Sequence, residues 1–172
     1  QPLGMAAFGR GDRDTARAHM QEAVELARRI GDRRELAAAL NNLAQLHRID
    51  GELDPAEPLY AHAVAIAREI GDRESVAVGL LNLAMVSIGR GSGDRARDML
   101  AEILAIAGEI GSRPVGIGAL DVSAGYGAWR EDWQRAARFF GTAQAQFVET
   151  GMQRDPTDEA FLVPLIDQAR AA

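Results

Sequence analysis

Three histidines, His19, His47 and His62, are the imidazoles this chain can offer to metal or proton chemistry. No two of them stand four residues apart, and a metal site needs three or four converging ligands. No metal site is therefore expected. The chain has no cysteine and no lysine; its 19 Lys+Arg residues are all arginine. Thiolate nucleophiles, disulfides, Cys-bound zinc and a phosphate-loop lysine are thereby excluded. Residues 89–93, Gly-Arg-Gly-Ser-Gly, are glycine-rich ahead of a helix. They lack the preceding strand and the Lys-Ser/Thr end of a phosphate loop, and read as a turn. Arg10, Gly11 and Asp12 spell a cell-adhesion tripeptide, but they read as a helix stop followed by a helix start. Asp14, Asp32, Asp54, Asp72, Asp94 and Asp155 fall at expected helix starts, where a carboxylate caps or complements the helix dipole. No Gly-x-Ser-x-Gly elbow exists. No cofactor is expected, and the chain reads as a non-enzyme.

The wider composition agrees. A chain of 172 residues that is 47% hydrophobic can bury a core of its own. The net charge of −6 argues against direct nucleic-acid binding. No apolar run reaches the roughly 18 residues of a membrane span, and no basic-then-apolar leader is present. The expectation is a cytoplasmic protein without membrane contact.

What positions the remaining residues is a period. Ile-Gly-Asp-Arg occurs at 30–33 and 70–73, Ile-Gly-Ser-Arg at 110–113, and Thr-Gly-Met-Gln at 150–153, always 40 apart. Ala16, Ala56, Ala96 and Ala136 keep the same spacing. So do Leu40, Leu80 and Leu120, and Gly11, Gly51 and Gly91, with Glu131 as the exception.

Each period reads as two helices. Leu36, Leu40, Leu43 and Leu46 recur at steps of three and four, which marks an amphipathic helix. Gly51 ends it in a position suited to a left-handed cap. Asp54 caps the next helix, with Pro55 at its first position. That helix runs through Leu59, Ala63, Ile66 and Ile70 to Gly71. Small residues such as Ala44, Ala56, Ala63, Ala84 and Ala96 mark close helix crossings. Helix pairs are predicted near 35–50 and 54–70, 73–89 and 94–110, and 114–130 and 133–150. A helix over 13–30 precedes them, with a stub of its partner at about 2–9. A last helix starts at Asp155-Pro156 and runs to about Ala171, kinked or split at Pro164. By the period, the first core position lies before Gln1. The chain reads as a piece of a longer protein, or else as a natural half-repeat cap.

The pattern Leu40, Leu43, Ala44, Gly51, Ala56, Tyr60, Ala63 resembles the tetratricopeptide repeat. Leu3, Gly4, Gly11, Ala16 and Ala23 supply it in the first repeat. Leu80, Leu83, Ala84, Gly91, Ala96 and Leu100 supply it in the third, and Leu120, Ala124, Ala136, Phe140 and Ala143 in the fourth. The resemblance implies an all-α fold, an antiparallel helix-pair solenoid winding as a right-handed superhelix. Residues 1–154 would hold about four repeats, the first truncated, and 155–172 a C-terminal capping helix. The length of 40 and the Ile-Gly-Asp-Arg linker resemble a long-repeat subtype found in spindle-orientation adaptors and bacterial signalling proteins. The run from Arg135 to Gln144, with the segment from Asp155 to Arg170, is similar to the end of large bacterial transcriptional regulators that carry an ATPase module ahead of such repeats. Pro164, Trp129 and Trp133 depart from that pattern.

The resemblance places the first helix of each pair on the concave wall. Asn41, Asn42, Gln45 and Arg48 project there, then Leu81, Asn82, Met85 and Ile88, then Asp121, Gly125 and Trp129. The amides of Asn42 and Asn82 suit a peptide backbone, or bond an adjacent helix. Leu81, Met85, Ile88 and Trp129 form an exposed apolar stripe, or lie buried under a neighbour. With Arg48 as the only basic residue in this set, a carboxylate clamp is not expected. The resulting expectation is a protein-interaction scaffold or sensor module taking a protein or peptide ligand, or other domains of a parent chain. The alternative is a self-association module, a homodimer.

Overall fold

The computed structural model describes residues 13–171. Eight α-helices are present among them: α1 Arg13–Ile30, α2 Arg33–Ile49, α3 Leu53–Glu69, α4 Arg73–Gly89, α5 Gly93–Ile110, α6 Arg113–Trp129, α7 Trp133–Thr150 and α8 Pro156–Ala171. No strand occurs among the described residues. The expected stub at 2–9, the motif residues Leu3, Gly4 and Gly11, and the tripeptide Arg10, Gly11, Asp12 lie outside them.

The turns follow the period. Gly31, Gly51, Gly71, Gly91, Gly111 and Gly151 all take positive φ, between 66° and 77°. Each lets the chain reverse after a helix without a Cβ penalty. Glu131 stands where the 51 and 91 register has glycine, and it adopts φ 59° all the same.

The starts of the helices were partly legible. Asp32 and Asp72 accept from the amides of Glu35 and Ser75 at 3.0 and 3.1 Å. Ser112 accepts from Val115, at 3.5 Å, with Pro114 in the first turn. Asp54 and Asp94 are not caps. Helix α3 begins at Leu53 behind Glu52, and α5 at Gly93 behind Ser92, neither with a side-chain cap bond. The first four amides of a helix have no helical partner, so Pro55 fits within the first turn as readily as at its first position. Pro164 does not split α8, which runs unbroken past it. A proline inside a helix costs about 3 kcal/mol. Leu162 and Ile166, on either side of it, are 1% and 6% exposed, and each such burial returns about 1.5–3 kcal/mol.

The chain divides within α4 into two compact units, Gln1–Gly79 and Leu80–Ala172. In the first, Met20 and Val24 of α1 pack with Leu36, Leu40, Leu43 and Leu46 of α2 and Ile66 of α3. Gly79 admits Val64, whose Cγ2 would stand 2.5 Å from a Cβ there. In the second, α6 packs against α5, α7 and α8. Gly127 lies against the backbone of Ala136, and a Cβ would meet its nitrogen at 3.0 Å.

The alanines set these approaches. Ala16, Ala56, Ala96 and Ala136 are 0% exposed, as are Ala44, Ala84 and Ala124. Small side chains at the crossings bring the axes close, and the larger neighbours then interdigitate. The fold is all-α, built of antiparallel helix pairs with a 40-residue repeat. No described helix is long and apolar enough to cross a membrane.

Candidate functional site

In the first unit, α2 and α4 lie side by side over Ala63 of α3, and a groove of about 350 Å³ opens between them. Its floor is small and apolar: Ala37, Ala38 and Ala63. One wall carries Asn41 and Asn42, the other Glu74, Ser75 and Val78. Spacing explains the wall, because residues four apart on a helix share a face. Val78 is 39% exposed, an apolar side chain left open to solvent. Asn42 is half-buried and has no hydrogen-bond partner among the described residues. Its amide can donate and accept at once, as a peptide backbone requires. The groove therefore offers shape, an apolar floor and one free amide. Among the described residues that line it, Glu74 is the one titratable group and Ser75 the one hydroxyl.

The other expected wall residues fare differently. Gln45 is half-buried. Arg48 is buried, and its Nε donates to the Tyr60 hydroxyl at 3.4 Å. It is a structural cation, not a free one. In the second unit, Leu81 is half-buried against Gly118, where a Cβ would meet its Cδ1 at 3.0 Å. Asn82, Met85 and Ile88 are 7%, 3% and 2% exposed, so at Met85 and Ile88 the apolar stripe is covered, the second of the two alternatives. Asp121 is buried and ion-paired to Arg154. Gly125 is covered by Phe161 and Leu165 of α8. Trp129 is half-buried over Gly93, where a Cβ would meet its Cη2 at 2.5 Å. It also stacks on Tyr126 with ring centroids 6.0 Å apart.

Glu74, Ser75 and Val78 were not anticipated. The period contained their signal, since Val78 is the 40-residue equivalent of Ala38.

A polar cluster closes the α2–α3 turn. Arg17 reaches Asp50 at 2.8 Å and Glu52 at 2.9 Å, and Arg13 also pairs with Asp50. His47 Nδ1 stands 2.5 Å from Glu52 Oε2. The hydrogen bond from His47, and then that from Arg17, hold the Glu52 carboxyl below its usual range. No group of three or more His, Asp or Glu side chains among the described residues could hold a metal ion.

The arrangement defines a class of fold, a helix-pair repeat with a groove between successive first helices, similar to tetratricopeptide repeats. The tetratricopeptide repeat family profile matches residues 1–69. Two solved structures share the fold. One is a Podosopora anserina protein described as a kinesin light chain with nearly identical TPR-like repeats. It is 18% identical, with 99% of this chain and 91% of that chain covered and a TM-score of 0.68. The other is BtubC (BKLC) from P. vanneervenii, 23% identical, covering 98% of this chain and 73% of that one, with a TM-score of 0.72. No curated protein matches the chain significantly. Tetratricopeptide repeats in general are scaffolds for protein–protein interaction.

Proposed function

We propose that this chain is a protein-interaction module, the scaffold or sensor segment of a larger bacterial signalling or transcriptional regulator, and that the α2–α4 groove takes a peptide. The observation that carries this reading is the conjunction of an alanine floor, an exposed Val78 and the unpartnered amide of Asn42 in one open groove. An extended or helical segment would place an apolar side chain on Ala37 and Ala63 and its backbone on Asn42. Among the described residues Glu74 gives the wall its charge, so a terminal carboxylate is disfavoured there. The regulator context rests on the resemblance of the C-terminal run alone. Asn41, which lines the groove, and the half-buried Gln45 one turn further along α2 extend the proposed surface within the first unit.

The test is peptide selection by display on the immobilised chain, followed by titration of the selected peptides. Asn42→Ala and Val78→Glu should each weaken them about tenfold, or about 1.4 kcal/mol, without moving the unfolding midpoint. Peptides indifferent to both changes would refute the groove. The self-association reading is favoured instead if sedimentation shows a dimer that Leu26→Glu/Ile30→Glu dissolves, since Leu26 and Ile30 are 48% and 65% exposed on α1.

A further inference from the structure

The fourth repeat departs from the period at one interior position. Leu43 and Leu83 are buried leucines at 7% and 4% exposure; forty residues on stands Ser123, equally buried at 7%. A hydroxymethyl group replaces an isobutyl group, and the space is not refilled. A hollow of about 430 Å³ lies there, between α5 and α7 and against α6, entirely within the second unit.

Three features of this hollow point to a ligand. First, the Ser123 hydroxyl has no hydrogen-bond partner among the described residues, although the side chain is more than nine-tenths buried and lines the hollow. Unpaired, that hydroxyl can donate to or accept from a polar atom of a ligand. Second, Leu104 is 49% exposed, while its equivalents Val24 and Val64 are 5% and 4%. With Leu100, Phe139 and the ring of Tyr126 it makes an apolar wall. Tyr126 is held in place by its stack on Trp129. Third, Arg97, Arg130 and Arg135 border the hollow against one carboxylate, Asp132. Arg97 pairs with Asp94 at 3.3 Å and Asp98 at 3.0 Å, and Arg135 with Asp132 at 3.5 Å, all through exposed carboxylates. Such surface pairs hold weakly and exchange readily for an incoming anion. Arg130 has no partner among the described residues.

We propose that this hollow is a second binding site, for a small hydroxylated aromatic carboxylate. The ring lies against Leu104, Tyr126 and Phe139. Its hydroxyl meets Ser123, and its carboxylate meets the arginines, of which Arg130 is the most available. A hollow of this volume is within the range of small-molecule sites. The site is separate from the α2–α4 groove, and either can fail without the other.

The probe is 4-hydroxyphenylpropionate, with phenylpropionate and the methyl ester as controls, titrated into the full chain by ligand-observed NMR. A ligand of about a dozen heavy atoms should bind with Kd of about 0.1–1 mM. Removing the ligand hydroxyl, or its charge, should each weaken binding about fivefold or more. Ser123→Leu restores the residue that the other repeats carry at this position, so the variant should fold, and it should abolish binding. Ser123→Ala should make the hydroxylated and plain acids equal. Arg130→Ala should make the acid equal to the ester. Absence of saturable binding, an ester that binds as well as the acid, or undiminished binding by Ser123→Leu would each overturn the proposal.

Discussion

Arg154 grips Asp121 with two parallel hydrogen bonds, Nε to Oδ2 at 2.7 Å and Nη2 to Oδ1 at 3.0 Å. The guanidinium also lies over the rings of Phe140 and Phe147, at 5.3 and 4.9 Å from their centroids. It thus ties the turn before α8 to α6 and α7. Both side chains are nearly buried, at 12% and 8% exposure. The hydrogen bond to Asp121 raises the Arg154 pKa further, so the cation persists at any accessible pH. Asp121→Ala would strand that cation among aromatic rings. The expected cost is about 3 kcal/mol, read from urea unfolding. A midpoint equal to that of the parent would show that solvent reaches the pair freely.

Glu131 occupies a left-handed turn where the register has glycine elsewhere. The Cβ clash there costs about 1–2 kcal/mol, less the added freedom of an unfolded glycine. Glu131→Gly should therefore raise stability by about 0.5–1 kcal/mol. A lowered thermal midpoint would mean that the glutamate side chain contributes a contact outweighing the strain.

The sequence leaves Trp129 either on an exposed stripe or under a neighbour. It covers Gly93 and stacks on Tyr126. Trp129→Ala should cost about 2 kcal/mol, less than the 3–5 of a fully buried ring, because part of its surface already meets solvent. Differential scanning calorimetry reads this directly, and an unchanged enthalpy and midpoint would exclude it.

Ala56 is fully buried at a helix crossing. Ala56→Leu should overpack it and cost about 1–3 kcal/mol. A variant as resistant to denaturant as the parent would place the closest approach of the helices elsewhere.

Glu52 is held below its usual pKa by His47 and Arg17, so folding favours its charged form. That contribution is present at neutral pH and is lost as pH falls through the native value, below the ordinary carboxylate range. Glu52→Gln should consequently flatten the acid limb of the stability profile. Parallel limbs for variant and parent would show that another carboxylate governs it.

What the sequence by itself determined was everything that repeats. The spacing of Gly31, Gly71, Gly111 and Gly151, and of Ala16, Ala56, Ala96 and Ala136, determined helix ends and crossings, because backbone φ and close axis approach each admit few residue types. The tertiary structure decided which first-helix residues stay open. Met85 and Asn42 sit at neighbouring register positions, yet one is buried and the other lines a groove. Exposure depends on what the adjoining helix presents, and that is a property of pairs distant in sequence. Asp121 shows it most plainly: the family resemblance put it on a wall, and an arginine 33 residues later holds it in the interior. Ser123 broke the leucine register in plain sight, but only the packing of α5 and α7 around it showed that the missing volume stayed empty.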